Sequence, residues 1–321
     1  KTISKLDEEN ERTLKSTIDV YRKLGAILTF DCTPFFENNV PRFGEICSFS
    51  ASGGAVYVNS VLGARTNREA AQSAMCAAIT GVTPEYGLLL EQNRAGDVLI
   101  QVEADVDSEY DYELLGYITP KKMGQAYHCP VFNGLSKQTT SEQLMDLGTQ
   151  LNIHGIVPMF HVVGVTPEAA DVHTAFLGRK DPPVVTITNE DLAQARAEIS
   201  AGTGKADFCI LGCPHLTINQ VGSIAKMLDG QQLAGQLYIF TSTSTKELAQ
   251  RMGYLDIIHK AGGEIVINSC VDQPCWSHLY GMSGVTESPK CAYYTKRWNM
   301  TFTVKSIPAC IQSVLKGEIV S

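Results

Sequence analysis

Residues 207–228, with the sequence DFCILGCPHLTINQVGSIAKML, decide the fold of this chain. The run Asp207–Leu211 is short and largely apolar, which predicts a buried strand, and Thr217–Leu228 has the pattern of a helix. Thr217 and Gln220 stand three residues apart, as in a capping box, which predicts that the helix begins there. A strand that leads through a short loop into a helix is the building unit of α/β folds.

The same alternation continues on both sides of this stretch. The sequence predicts a helix before it and, after it, a strand, a helical region with a break at Gly253 and a further strand: Asn189–Ile199, Gln236–Phe240, Lys246–Ala261 and Glu264–Ile267. Such alternation is typical of a doubly wound, mainly parallel sheet, so the predicted fold class is α/β. In these sheets ligands bind beyond the carboxyl ends of the strands.

Length and linker composition indicate two domains. With 321 residues, of which 44% are hydrophobic, the chain is long enough for two α/β lobes. Asp181-Pro182-Pro183 is the best linker, so the predicted lobes are residues 1–180 and 184–321. In the first lobe the sequence predicts a helix over Asp7–Leu24, a buried strand over Ala26–Phe30, and strands at Asp97–Val102 and Ile156–Val163.

Charge and hydropathy exclude several classes of protein. The formal net charge is −8 and no run of lysine or arginine occurs, which argues against nucleic-acid binding. No uninterrupted apolar stretch approaches roughly 18 residues, so no membrane-spanning helix is expected. No signal peptide is visible, and we expect a cytoplasmic protein whose ten cysteines are reduced. The chain begins at Lys1, not at methionine, so an N-terminal segment is expected to be missing.

Three cysteines follow predicted strands. Cys32 comes two residues after Phe30, Cys213 follows Asp207–Leu211, and Cys270 follows Glu264–Ile267. A single such cysteine is most often a core residue, but three thiols at strand ends favour a metal cluster, which needs thiolates from separate loops. Zinc remains the alternative, although its usual Cys-x-x-Cys pair is lacking. Six others are assigned to packing: Cys47, Cys76, Cys129, Cys209, Cys291 and Cys310.

A second polar stretch, NSVLGARTNRE, covers residues 59–69. Thr66 and Glu69 have the spacing of a capping box, which predicts a helix from Asn67 to Thr80. Free amides at a helix start together with two arginines suit a carboxylate or phosphate, whereas the alternative is a solvated helix start. The predicted substrate-binding residues are Asn59, Ser60, Arg65, Thr66, Asn67 and Arg68.

Two further side chains are candidates for catalysis. His215 lies two residues after Cys213 and is a candidate acid, base or hydrogen-bond donor, although a lone histidine is more often structural. Lys290 lies in the turn TESPK, residues 286–290, where the alternative is an exposed lysine. Together, the residues predict an α/β protein with a thiolate-bound metal and an anion pocket.

The same residues resemble the large, catalytic subunit of the aconitase X family. The similar stretches follow the family's order along nearly the whole chain: Cys32-Thr33-Pro34, NSVLGARTNR at 59–68, TPEYG at 83–87, GVTPEA at 164–169, GCPH at 212–215 and the Cys270 loop. The resemblance implies aconitase-like α/β/α domains and an iron–sulfur cluster (4Fe-4S or 2Fe-2S) held by Cys32, Cys213 and Cys270. It also implies further family sequence before Lys1, and a small swivelling subunit that supplies a catalytic serine.

The resemblance further implies a hydro-lyase, with cis-3-hydroxy-L-proline and mevalonate 5-phosphate as the family's known substrates. We favour cis-3-hydroxy-L-proline, because no second cluster of basic residues suits a phosphate and the composition does not resemble heat-adapted members. Three stretches depart from the family pattern: ASGGAV at 51–56, NSC at 268–270 and ESPK at 287–290. They put the substrate in doubt and leave a diverged, non-catalytic binding subunit as the alternative.

Overall fold

The computed structural model describes residues 6–320. Its α-helices are α1 (Glu8–Lys23), α2 (Ser52–Ser60), α3 (Ala71–Thr80), α4 (Glu109–Met123), α5 (Ser141–His154), α6 (Val172–Ala175), α7 (Asn189–Ser200), α8 (Ile218–Leu228), α9 (Thr243–Arg251), α10 (Tyr254–Ala261), α11 (Pro289–Tyr294) and α12 (Ile307–Lys316). Its β-strands are β1 (Val98–Val102), β2 (Pro130–Asn133), β3 (His161–Val162), β4 (Val184–Ile187), β5 (Phe208–Leu216), β6 (Gln236–Thr241), β7 (Glu264–Val266), β8 (Ser283–Thr286) and β9 (Thr301–Val304). Across this described part of the chain, no helix is both long and apolar enough to cross a bilayer.

The described chain divides into two compact units. One consists of residues 6–32 and 199–320 and is called the cysteine unit. The other consists of residues 33–198 and is called the arginine unit. The predicted lobes, 1–180 and 184–321, differ from these units because β4 starts directly after the proline-rich loop and pairs with β1, with Val184 opposite Leu99.

The cysteine unit is built on a parallel sheet with the strand order β7-β6-β5-β8-β9. Alternation along β5 places Phe208 and Ile210 in one core and Cys209 and Leu211 in the other, so both faces of the sheet are covered. The chain runs from β5 outward to β7 and then returns to β8, so the order reverses between β5 and β8. That reversal is where a doubly wound sheet leaves room for a ligand.

The arginine unit has a smaller parallel sheet in the order β3-β2-β1-β4. Its central strand β1 is largely apolar and is bordered by β2 and β4, and α4 packs against α5 beside it. Both helices begin with capping boxes, Ser108 with Asp111 and Thr140 with Gln143. The predicted α/β class with parallel sheets is therefore confirmed in both units.

Several predicted elements are confirmed near the cysteines. The capping box of Thr217 and Gln220 opens α8, and Gly253, at a φ of 77°, separates α9 from α10. The predicted helix over Asp7–Leu24 is α1, which is capped by the Asp7 side chain.

Other predictions were wrong. Ala26–Phe30 is not a strand: Ile27 is 85% exposed and Phe30 has a φ of 48°, which ends extended structure. Of the strand predicted at Ile156–Val163, only His161–Val162 pair in the sheet. An apolar run alone does not show that a neighbouring strand is available to pair with it.

Candidate metal centre

The segment that carries Cys213 is an irregular part of β5. Pairing with β6 shifts between Leu211 and Leu216, so residues 212–215 bend out of the regular ladder. Gly212 has a φ of 109°, and a Cβ at this position would lie 2.2 Å from the carbonyl oxygen of Phe240. Only glycine fits this bend, so Cys213 and His215 lie in the irregular last part of β5, and not after the strand as predicted.

His215 is held by two acceptors. Its Nδ1 lies 2.8 Å from Asp31 Oδ1, and its Nε2 lies 3.1 Å from the carbonyl oxygen of Ser269. Because a carboxylate and a carbonyl both accept hydrogen bonds, the doubly protonated ring satisfies both contacts. Burial alone would lower the pKa of His215, but the negative charge of Cys32 and the bond to Asp31 raise it to about 10.

Cys32 is joined to the same histidine. The backbone N–H of His215 donates to Cys32 Sγ over 3.1 Å. Donor atoms of Asp31, Cys32 and His215 lie within 4.8 Å of one another, so these three residues could also hold a single ion such as zinc. Cys32 thus reaches the site from an irregular segment, and not from the end of a strand as predicted.

Cys213 and Cys270 lie close enough to Cys32 for their charges to interact. Burial raises the pKa of the Cys213 thiol, which negative charge on Cys270 and Cys32 raises further and Lys290 lowers. Burial also raises the pKa of Cys270, whereas the Asp272 N–H, 3.4 Å from Cys270 Sγ, lowers it. The structure therefore brings the three predicted thiols and both candidate catalytic residues, His215 and Lys290, into one site.

The loop of Cys270 is fixed by aromatic and charged side chains. Trp276 Nε1 donates to the Cys270 carbonyl over 3.0 Å. Asp272 accepts two hydrogen bonds from Arg297 and one from Trp298 Nε1, at 2.6 to 2.9 Å. A loop held at both its backbone and its side chains can present a thiol with little loss of conformational entropy.

Sequence reasoning missed Glu287 as a member of this site. Its side chain is buried, and Oε1 accepts the Gly212 N–H at 2.6 Å and the Cys213 N–H at 3.3 Å. Burial raises the pKa of this carboxyl, and the backbone donors lower it in part. Its position directly after β8, a neighbour of β5, was the available signal.

The chemistry of these donors fits an iron–sulfur cluster. Thiols are the usual cluster ligands, and N–H donors to sulfur stabilise the thiolate form that binds iron. Lys290 and the protonated His215 balance part of the negative charge that the thiolates bring. The site therefore matches an iron–sulfur cluster in the type of its ligands and in the charges around them.

In the arginine unit, most of the predicted anion-binding side chains form hydrogen bonds with the protein's own backbone. Asn59 is fully buried and bonds the backbone of Thr66 in both directions, at 2.9 and 3.0 Å. Ser60 Oγ accepts the Phe160 N–H, and Asn67 bonds the backbone of Tyr86 and Leu88. These side chains hold backbone segments together.

The capping box predicted at Thr66 and Glu69 was wrong. Thr66 Oγ1 accepts the Phe49 N–H at 2.9 Å and donates to the Asn67 carbonyl at 2.7 Å. Helix α3 begins four residues later than predicted, after Ala70, and has no side-chain cap. The loop of residues 59–69 therefore does not end in helix amides near Asn67.

Arg65 and Arg68, the two arginines of this loop, are at least partly exposed to solvent. Arg65 donates to the Leu89 carbonyl at 3.1 Å, lies 3.9 Å from Glu91 Oε2 and has a side chain that is 27% exposed. Arg68 is exposed and donates to Asn152 Oδ1 at 3.0 Å. Both guanidinium groups can still meet a ligand, because neither is enclosed.

Arg94 is the second residue that sequence reasoning missed. Its side chain is only 1% exposed and forms a bidentate ion pair with Glu168. It also donates to Asn59 Oδ1, to the Asn59 carbonyl and to the Leu88 carbonyl at 3.0 to 3.2 Å. Glu168 lies in the stretch GVTPEA, which resembles the family. Arg94 lies in a turn without a periodic pattern, so the sequence pointed to Glu168 but not to its partner.

Three domain models of one family match the chain in succession. Aconitase X first, second and third domains cover residues 2–92, 96–197 and 206–316. The chain belongs to the aconitase X family. The resemblance predicted from the sequence is thereby confirmed.

Named relatives agree with this assignment. The phosphomevalonate dehydratase large subunit of Thermococcus kodakarensis is 34% identical over 309 residues, covering 95% of this chain and 78% of the relative. That of Methanothermobacter thermautotrophicus is 36% identical over 288 residues, covering 89% and 70%. The cis-3-hydroxy-L-proline dehydratase of Pseudomonas aeruginosa is 34% identical over 264 residues, covering 79% of this chain and 45% of the relative.

A solved structure extends the agreement to the fold. The holo-form of Thermococcus kodakaraensis aconitase X matches with a TM-score of 0.87 and 32% identity, over 97% of this chain and 79% of that one. The named relatives are dehydratases, which are hydro-lyases. As a member of the same family, this chain belongs to that class of enzyme. Those named large subunits imply small-subunit partners for themselves.

Proposed function

We propose that this aconitase X chain is the catalytic large subunit of an iron–sulfur-dependent dehydratase that removes water from a small hydroxylated carboxylic acid. The observation that carries the proposal is the convergence of Cys32, Cys213 and Cys270 with two cationic side chains. We assign these three thiols as the cluster ligands.

When bound, the cluster supplies a Lewis-acidic iron that polarises the hydroxyl group to be eliminated. The chain's own residues prepare the site for that chemistry. His215 acts through Cys32, because its backbone N–H bonds the thiol while its two ring nitrogens are engaged by Asp31 and Ser269. Lys290 places a positive charge beside the thiols, where it stabilises negative charge that develops on the substrate.

For the substrate carboxylate we propose Arg65 and Arg68 as donors. Both guanidinium groups are accessible and have weak or neutral partners, namely a carbonyl, a distant carboxylate and an amide. Replacing such partners by a carboxylate gives stronger, charge-assisted hydrogen bonds. Asn59, Ser60, Thr66 and Asn67 contribute by fixing the loop that carries the arginines.

The substrate we propose first is cis-3-hydroxy-L-proline. Two accessible arginines suit one carboxylate, whereas the third arginine of this region, Arg94, is already paired with Glu168. Mevalonate 5-phosphate is the second candidate. It is supported by the phosphomevalonate dehydratase large subunits, which match over 70–78% of their own length, against 45% for the hydroxyproline enzyme.

We also propose that activity requires a small subunit of the aconitase X type. The relatives named as large subunits support this arrangement. We expect the complex to turn over its substrate and the chain alone to be inactive. Full turnover by the chain alone would contradict this part of the proposal.

A substrate assay tests the function. The chain is reconstituted anaerobically with iron and sulfide, combined with the small subunit, and assayed with cis-3-hydroxy-L-proline and mevalonate 5-phosphate. Turnover of hydroxyproline supports the first candidate, and turnover of mevalonate 5-phosphate alone transfers the proposal to the second. A cluster-loaded complex that is inactive on every hydroxy acid tested supports the diverged binding subunit instead.

The arginine assignment is tested in the same assay. Removal of one charge-assisted donor costs about 1.5–3 kcal/mol, so Arg65→Ala and Arg68→Ala should each raise KM by about 10- to 100-fold. Arg179→Ala, an exposed arginine that bonds the Gln92 carbonyl, is the matched control and should leave KM unchanged. An unchanged KM in both loop variants would remove the arginine assignment.

A further inference from the structure

The buried carboxyl of Glu287 faces the backbone of the loop that carries Cys213. Its Oε1 accepts two consecutive N–H groups, Gly212 at 2.6 Å and Cys213 at 3.3 Å, while Thr286 Oγ1 donates to Oε2 at 3.2 Å. Consecutive amides that point to one oxygen define the orientation of the peptide between them. The Gly212–Cys213 peptide is therefore fixed by an acceptor from a different strand.

This contact supplies what the bent loop lacks. The regular pairing with β6 is interrupted over residues 212–215, and Glu287 accepts the Gly212 and Cys213 amides within this interruption. A buried N–H without an acceptor is costly, and a loop whose amides are satisfied in only one arrangement is held in that arrangement. Gly212 also packs against the Phe240 carbonyl, which limits movement on the opposite side.

We infer that Glu287 is the positioning residue for Cys213, and that it acts by the placement of its Oε1 acceptor and not by its charge. The inference rests on the proposed role of Cys213 as a cluster ligand. Side chains that orient a metal ligand through hydrogen bonds commonly contribute to metal affinity although they do not touch the metal.

Two substitutions separate placement from charge. Glu287→Gln keeps an oxygen at the Oε1 position and an NH₂ group that can donate to Thr286 Oγ1, but it removes the carboxylate. Glu287→Asp keeps the carboxylate and withdraws it by one methylene group, so it no longer reaches both amides. Asp207→Asn is the matched control, because Asp207 accepts the Ser283 N–H at the opposite end of the strands.

The measurement is iron bound per folded chain after anaerobic reconstitution of the full chain at limiting iron, together with the visible spectrum of the cluster. Glu287→Gln and Asp207→Asn should match the unsubstituted protein. Glu287→Asp should bind iron about tenfold more weakly or worse, as is usual when such a supporting contact is lost. Loss of iron in Glu287→Gln with retention in Glu287→Asp would overturn the inference in favour of a charge effect, and equal iron in both variants would also overturn it.

A second readout needs no cluster and distinguishes the inference from the proposed function. In the metal-free protein, the rate at which iodoacetamide modifies Cys213 is followed by mass spectrometry. Glu287→Asp should raise that rate several-fold more than Glu287→Gln does, because only the former releases the Gly212–Cys213 peptide, whereas the latter removes only the effect of the carboxylate on the pKa of Cys213. If the unsubstituted protein binds no iron, the proposed function fails, and this rate still decides whether Glu287 positions Cys213.

Discussion

The cysteine unit and the arginine unit use buried charge in different ways. In the cysteine unit, Asp31 accepts from His215, whose backbone bonds Cys32, and Glu287 accepts from the backbone of Cys213. Both thiols can still bind a ligand. In the arginine unit, Arg94 and Glu168 neutralise each other, and their hydrogen bonds end on the backbone of Asn59 and Leu88. The first arrangement suits the proposed thiolate site, whereas the second is a structural brace that holds Asn59 in the loop of Arg65 and Arg68.

The comparison predicts its largest effect at Arg94. Arg94→Met leaves the Glu168 carboxylate without its buried partner, and breaking such a pair typically costs about 3–5 kcal/mol. Amide hydrogen exchange of β1 and α4 measures this loss in the arginine unit directly. Trp276 and Trp298 both lie in the cysteine unit, so their fluorescence reports its unfolding. The midpoint urea concentration of this transition should be unchanged.

Arg65→Met provides the control for that prediction. Arg65 is partly exposed and lies 3.9 Å from the carboxylate of Glu91, so its loss should cost less than about 1 kcal/mol. Equal effects of Arg94→Met and Arg65→Met would contradict the distinction between a brace and an accessible binding residue.

A smaller effect separates the two capping boxes that the sequence suggested. Gln220→Ala removes a side chain whose oxygen accepts the Thr217 N–H at 3.0 Å, and it should destabilise the cysteine unit by about 1 kcal/mol. Glu69→Ala should change stability by less than about 0.5 kcal/mol, since Glu69 contacts the exposed Ser73 and caps no helix. Urea unfolding measures the first effect, and amide exchange in α3 measures the second. A large cost at Glu69 would restore the predicted box.

A further predicted effect depends on pH. Burial lowers the pKa of His161 below its ordinary value of 6.5, although the hydrogen bond from Nε2 to the Arg94 carbonyl partly opposes the change. The unfolded chain therefore takes up a proton below pH 6.5 before the folded chain does. The stability present above pH 6.5 should be lost progressively as pH falls toward the folded pKa.

His161→Gln tests this dependence. The variant should show a flatter stability profile between pH 7 and pH 5, because it lacks the buried group whose pKa is lowered on folding. His173→Gln, at an exposed histidine, should follow the profile of the unsubstituted protein. A steeper loss of stability in His161→Gln would show that the sign is wrong.

The sequence predicted β5, β6 and β7 of the cysteine unit, where strand, loop and helix signals agreed, but it did not predict β8 and β9. Asp207–Leu211, the Thr217 cap and the Gly253 break all correspond to observed elements. These elements are determined by residues that are close in sequence, so the sequence pattern alone is enough to predict them.

The failures arose where distant residues decide the structure. Thr66 bonds Phe49, 17 residues away, in place of capping a helix, and Arg94 pairs with Glu168 across 74 residues. Glu287 likewise reaches Gly212 across 75 residues. Cys32 was predicted to follow a strand, but residues 26–30 form no strand, and the backbone N–H of His215 donates a hydrogen bond to Cys32.

The most direct test of the account is the iron and sulfide content of the chain after anaerobic reconstitution. Cys32→Ser, Cys213→Ser and Cys270→Ser are compared with Cys310→Ser, a fully buried cysteine of the same unit that lies in a helix of its core. We expect a brown protein with a visible absorption band, retained in Cys310→Ser and sharply reduced in each of the other three. Full retention of iron in all three, or zinc in place of iron in the unsubstituted protein, would contradict it.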